Sequence, residues 1–136
     1  MSRELKFRVW SYRLKRFLSK EEYYLDFDGN LYFDDYGDGH EVNTLRKVSK
    51  ENYTVKQFTG IFDKNGKEIY EGDIVNFKDY NSIDDFTIDV NLVCIYSIYN
   101  AWYSFVVDVE NEHDEGYYWM EIKEKCEVVG NIFEKL

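Results

Sequence analysis

The sequence predicts a mainly β protein built from short, tightly turned strands. Three observations carry that expectation. Aromatic residues make up 19% of the chain, with 13 Tyr and 10 Phe, and such side chains fit half-buried pleated surfaces better than helices. Proline is absent, and no Pro/Gly/Ser-rich linker, repeat or low-complexity stretch divides the chain. Turn signals recur between short apolar runs, most densely from Gln57 to Val75, which reads QFTGIFDKNGKEIYEGDIV. The 136 residues suit one domain, 1–136, long enough to bury a core without staples.

Each element follows from local pattern. Leu5, Phe7 and Val9 alternate with Lys6, Arg8 and Trp10, the period of a strand with one buried face. Tyr12 to Leu18 returns as a second strand with Arg13, Lys15 and Arg16 outward. Tyr23–Phe27 and Leu31–Tyr36 flank Asp28-Gly29-Asn30 as a hairpin, and Gly37-Asp38-Gly39-His40 connects onward. Val42, Leu45 and Val48 recur every three residues, which fits a strand or a short helical turn. Asn65-Gly66 is a dipeptide that accepts positive φ at both central positions of a tight turn. It separates Val55–Ile61 from Ile69–Phe77. Glu71-Gly72-Asp73 reverses the chain again, and Asp73 is placed to accept hydrogen bonds from local amides. Asn65, Gly66, Gly72 and Gly130 read as structural turns, where positive φ or close approach favours such residues.

Asp79 to Asp85 reads as a polar loop. Phe86–Tyr99 is a long strand expected to bend or bulge, with a turn at Asn100-Ala101 and a return over Trp102–Val109. Glu110–Gly116 is a second acidic loop, followed by strands at Tyr117–Ile122 and Cys126–Phe133. Trp10, Trp102 and Trp119 are core or rim residues by default. Cys94 and Cys126 lie in apolar runs and are expected as buried thiols.

The net charge of −10 hides an asymmetry. Residues 1–20 hold seven Lys and Arg against Glu4 alone, whereas residues 79–121 hold ten carboxylates and no Lys or Arg. Most such charges coat solvated faces. A basic start can also meet the acidic segment, in its own subunit or the next, or an external polyanion. Arg8, Arg13, Lys15 and Arg16 are therefore the candidate interaction surface. Nucleic acid is the disfavoured partner, because phosphate binding wants a basic footprint across the domain. An acidic mimic of nucleic acid, aimed at a host protein, is a further use of residues 79–121.

Catalytic signals are missing. Asp26-Phe27-Asp28-Gly29-Asn30 opens like a calcium loop, but Leu31 and Gly37 stand where an EF-hand needs Gly and a bidentate Glu, so a hairpin turn is expected. His40, His113, Cys94 and Cys126 have no zinc-site spacing. Glu110, Glu112, Asp114 and Glu115 around His113 could serve a small hydrolase, yet a catalytic carboxylate needs burial and a run of acids on a loop is usually solvated. No phosphate loop, nucleophile elbow or Cys/His pairing is visible. No enzyme, cofactor or metal is expected. No apolar run approaches the roughly 18 residues of a membrane span and no signal peptide opens the chain, so no membrane association and a cytoplasmic location are expected.

Three segments carry a resemblance. Thr59-Gly60 with Asp63–Val75 (DKNGKEIYEGDIV) looks like the signature of the YopX family of phage and prophage proteins. Leu5–Trp10 (LKFRVW) is similar to the family's opening, and Glu127–Glu134 (EVVGNIFE) to its close. Residues 20–50 and 79–121 match no pattern. The resemblance implies an SH3-like β-barrel core over about 53–136 with additional N-terminal strands, 1–52, packed on it. It also implies a phage or prophage of a Gram-positive bacterium and a tendency to self-assemble. It brings no biochemical activity. The expected function is a non-enzymatic accessory protein acting through protein–protein contacts, as a homo-oligomer or on a host or phage protein. The alternative is a nucleic-acid-binding β-barrel that uses the basic N-terminal strands.

Overall fold

The computed structural model describes residues 5–35, 44–97, 102–106, 122 and 125–134. The described residues are mainly β with almost no helix, and one sheet curls into a half-barrel. The chain divides into two compact units, Phe7–Lys56 and Met1–Lys6 with Gln57–Leu136.

The unit Phe7–Lys56 begins with β1 (Phe7–Ser11) and β2 (Arg16–Phe17), paired antiparallel with Trp10 opposite Phe17. β3 (Tyr24–Leu25), β4 (Leu31–Asp35) and β5 (Thr44–Lys47) form a separate three-stranded sheet. Short 3₁₀ turns at Lys20–Glu22 and Lys50–Asn52 link these pieces. The core of this unit is Val9, Leu18, Leu31 and Tyr53. The Tyr53 hydroxyl accepts from Leu31 N–H at 3.2 Å and donates to Gly29 O at 3.3 Å. That satisfies a buried phenol, as burial of a polar group demands.

β6 (Tyr53–Phe62) continues into the other unit, where its second half pairs with β7 (Glu68–Tyr70). β8 (Asp73–Asn81), β9 (Phe86–Ser97), β10 (Trp102–Val106) and β11 (Cys126–Asn131) form an antiparallel sheet in the order β10-β9-β8-β11. Alternate residues of these strands, among them Val75, Phe77, Leu92, Cys94, Phe105 and Cys126, are buried with Ile61, Ile69 and Ile122. The period-two pattern follows from the pleat, which sends successive side chains to opposite faces.

Several expectations need correction. β1 forms, but Val9 and Trp10 are its buried pair while Leu5 and Phe7 are exposed. Trp10 packs edge-on against Phe17 with ring centroids 4.9 Å apart, so the end of the strand is covered while its start is not. The second strand shrinks to two residues because Tyr12–Lys15 is a turn, closed by Lys15 N–H on Ser11 O at 2.8 Å. Residues 44–47 are strand, which settles the ambiguous spacing there. The expected polar loop 79–85 is shorter than predicted: pairing runs unbroken from Ile74 opposite Val93 to Asn81 opposite Phe86, which leaves only residues 82–85 as the turn. The long strand β9 carries no register shift against β8 or β10.

The irregularities lie elsewhere. β6 shifts register between Phe58 and Ile61, and β11 between Val128 and Gly130. At the first, Gly60 has φ +83° and the Thr59 hydroxyl donates to Ile69 O at 2.7 Å and accepts from Ile61 N–H at 3.1 Å. A left-handed glycine with an extra residue is one standard form of β-bulge. Gly130 is not a turn. It lies in β11 beside the second shift, and a Cβ there would meet open space. Gly66 has φ +81°, but Asn65 is not left-handed. The loop is therefore a three-residue connection ending in a left-handed glycine. The expected turn at 100–101, the loop at 110–116, the strand at 117–121, and His40, His113 and Trp119 fall outside the described residues.

Candidate functional site

The four cations of the candidate surface have different fates. Arg8 on β1 stacks its guanidinium over the Phe17 ring at 4.3 Å. Arg16 forks onto Glu22, with Nη1 and Nη2 donating to the two carboxylate oxygens at 2.7 and 2.8 Å. Glu22 is fixed in turn by Ser19, whose N–H and hydroxyl donate to Oε1 at 2.8 and 3.0 Å. Arg16 above all, with the Ser19 amide next, lowers the Glu22 carboxyl to about 2. Bidentate pairing of this kind consumes the planar fork that a phosphate would need. Ser19-x-x-Glu22 is a capping-box spacing and was the sequence signal for the turn at Lys20–Glu22. Arg13 and Lys15 are exposed on the turn between β1 and β2. Leu14 N–H donates to Ser11 Oγ at 3.1 Å and Lys15 sits at φ 54°, which fixes the turn that presents them. Further back, Lys6 pairs with Glu68 and lies over the Phe58 ring.

Beneath that turn lies a cavity of about 130 Å³. Its walls are mostly apolar, from Leu14, Leu18, Leu31, Phe33 and Val48, with Ser11, Arg13 and Asn52 supplying polar atoms.

The acidic feature that the structure describes is the tip of the β8–β9 hairpin. Asp85 closes it at φ 49° and accepts from the Tyr80 hydroxyl at 2.9 Å. Ile83 is 92% exposed, and Tyr80 and Phe86 beside it are also exposed. Two residues before the last ladder pair of the hairpin, Asp79 lies 2.8 Å from Lys125 Nζ, which holds that carboxyl below its usual range.

Of the turn residues, Gly72 and Asp73 do the most. Gly72 has φ +88°, and a Cβ there would stand 2.8 Å from the Phe133 ring. Asp73 is buried and accepts from Tyr70 N–H at 2.8 Å, holding the reversal between β7 and β8. Asp63, which sequence reading passed over, caps the Asn65-Gly66 loop. Its Oδ1 accepts from Asn65 and Lys67 N–H at 2.8 and 2.9 Å, and its Oδ2 from Val128 N–H at 2.9 Å. Burial pushes this carboxyl up, but the three amides prevail and hold it below its usual range.

Cys94 and Cys126 are free, buried thiols. Cys126 stands opposite Phe77, itself opposite Val90, so the two cysteines are on strands separated by β8 and offset by four residues, about 13 Å along the strand direction. Burial, with the Asp63 charge adding to it, pushes the Cys126 thiol up to about 11. No helix among the described residues is long and apolar enough to cross a membrane.

These strands, turns and termini match a family. The model of the family described as YopX protein matches residues 6–135. The chain belongs to the YopX family. The crystal structure of protein EF1440 from Enterococcus faecalis is similar in fold, with a TM-score of 0.57 at 22% identity, covering 98% of this chain and 96% of that one. Among curated proteins, none matches the chain. Within the Asp63–Val75 signature, Asp63 and Gly66 shape the β6–β7 loop and Gly72 and Asp73 the reversal into β8.

Proposed function

We propose that this YopX-family chain is a phage or prophage accessory protein of the bacterial cytoplasm. It acts through protein–protein contacts, without catalysis of its own, and self-associates into a homo-oligomer. The observation that carries this reading is the pairing of opposite features on the chain's surface. Exposed Arg13 and Lys15 frame one turn, while exposed Tyr80, Ile83 and Phe86 share a hairpin tip with Asp84 and Asp85. Complementary charge steers and orients association, and apolar side chains grouped at an exposed tip favour burial against a partner. The nucleic-acid alternative loses support from Arg16, whose guanidinium is already filled by Glu22.

Light scattering tests the reading. At tens of micromolar the unmodified protein is expected to exceed the 16.5 kDa of one chain. Its mass should fall between low ionic strength and about 1 M salt, where the Debye length is about 3 Å. A monomer at low salt defeats the proposal. An oligomer indifferent to salt keeps self-association and removes charge as its cause.

A further inference from the structure

We propose that the β8–β9 tip of one copy docks into the cavity beneath the β1–β2 turn of a second copy, with Ile83 as the inserted side chain. This rests on the self-association proposed above and names its contact.

The tip is built to project. β8 and β9 are paired residue for residue up to Asn81 opposite Phe86, and the loop beyond is only four residues long. Ile83, an apolar residue set among Asn81, Ser82, Asp84 and Asp85, is 92% exposed there. The cavity is the matching half. At about 130 Å³ it approaches the size of apolar cavities that hold a benzene ring, so one branched aliphatic side chain fits it. Leu14, Leu18, Leu31, Phe33 and Val48 would surround that side chain, and Arg13 lies in the same wall.

Charge sets the orientation. Residues 79–89 hold Asp79, Asp84, Asp85 and Asp89 and no cation. Asp84 and Asp85 directly follow Ile83, while Arg13 and Lys15 directly flank Leu14. Seating Ile83 brings these opposite pairs together at the rim, where they add register more than affinity. Tip and cavity are different surfaces, so a reciprocal pair closes as a two-fold dimer and a one-way contact propagates. Repetition of the one-way contact closes into a ring or extends as a filament.

Two exposed-site variants test this, read by light scattering with far-UV circular dichroism as the check on folding. Ile83→Asp disables the tip and Arg13→Glu disables the cavity rim. Each alone is expected to weaken assembly at least tenfold and give 16.5 kDa particles. Mixed one to one, they retain a single intact tip and a single intact cavity, so they should form a two-subunit species and nothing larger. Ile83→Ser disables the tip without adding charge and replaces Ile83→Asp if that variant does not fold. A monomeric unmodified protein removes the reading of self-association itself. An oligomer that survives Ile83→Asp and Arg13→Glu leaves self-association standing and overturns this contact. A mixture that stays monomeric overturns it as well.

Discussion

Two hairpin loops in this protein are bonded alike, one in each unit. In Asp26–Asn30 and Asp63–Lys67 the aspartate N–H donates to the carbonyl four residues on, at 3.0 and 2.8 Å, and the glycine N–H donates back to the aspartate carbonyl, at 3.1 and 3.0 Å. In both, one carboxylate oxygen accepts two loop amides, and Gly29 and Gly66 sit at φ 82° and 81°. The difference is the second oxygen. That of Asp26 takes the Asn30 amide and the Tyr32 hydroxyl, at 3.0 and 3.2 Å, all within the same hairpin. That of Asp63 takes Val128 N–H from β11, and Lys64 N–H reaches Cys126 O on the same strand at 3.0 Å. The first carboxylate closes only its own hairpin, while the second fastens a distant strand.

Gly72 extends the contrast. Its N–H donates to Cys94 O at 2.8 Å and its carbonyl accepts from Ile132 at 2.9 Å, so this turn too is tied to remote strands. Gly72→Ala meets both left-handed strain and the Phe133 ring, and is expected to destabilise by about 3 kcal/mol. Gly29→Ala meets strain alone, since nothing lies within 4 Å of its Cβ, and should destabilise by about 1 kcal/mol. Urea denaturation measures both. Equal losses would break the comparison.

Asp63→Ala comes next. It strands the part-buried Val128 amide as well as two loop amides and should destabilise by about 2–3 kcal/mol. Asp26→Ala strips two loop amides, the Asn30 side chain and the Tyr32 hydroxyl, all within one hairpin and none on a distant strand, and should lose clearly less. Acid sharpens the same point. A carboxyl held below its unfolded value stabilises fully above about pH 4 and loses that contribution as pH falls through the folded value. Part of the acid sensitivity below pH 4 should therefore vanish in Asp63→Asn, read as a flatter plot of urea midpoint against pH.

The smallest effect is on reactivity. Both cysteines lie in the half-barrel unit and neither in Phe7–Lys56. Thiol labelling at pH 8 should be slow in the unmodified protein, because the thiolate is the nucleophile and Cys126 ionises only near 11. Asp63→Ala should speed labelling by loosening β11, while Asp26→Ala should not. Similar rates in the two variants would mean that the loops are not different in kind.

The sequence showed both loops as turns, because Asp-x-[Asp/Asn]-Gly is a local signal. It did not show which carboxylate would be buried, since Val128 lies 65 residues from Asp63 and long-range pairing leaves no local mark. The bulges at Gly60 and Gly130 escaped for the same reason, being set by partners rather than neighbours. The sequence boundary stood at 52/53, the start of β6, whereas the units divide within that strand at 56/57, where no break in the strand pattern marks it. Within the candidate surface, Arg8, Arg13, Lys15 and Arg16 looked equivalent by charge. The structure sets Arg16 apart, engaged by Glu22; the capping-box spacing of Ser19 and Glu22 marks the turn and not the arginine.

The place of β11 at the far end of the chain gives the half-barrel a schedule. β8 is flanked by β9 and β11, and some fifty residues separate Asn81 from Asn131. At typical bacterial translation speed, β8 therefore emerges about 3–10 seconds before its second neighbour exists. Throughout that interval one edge of β8 presents unpaired amides and carbonyls, a template for any other nascent strand. Lys78, exposed on β8, stands along that edge, and charged side chains of this sort are what keep waiting edges from pairing wrongly.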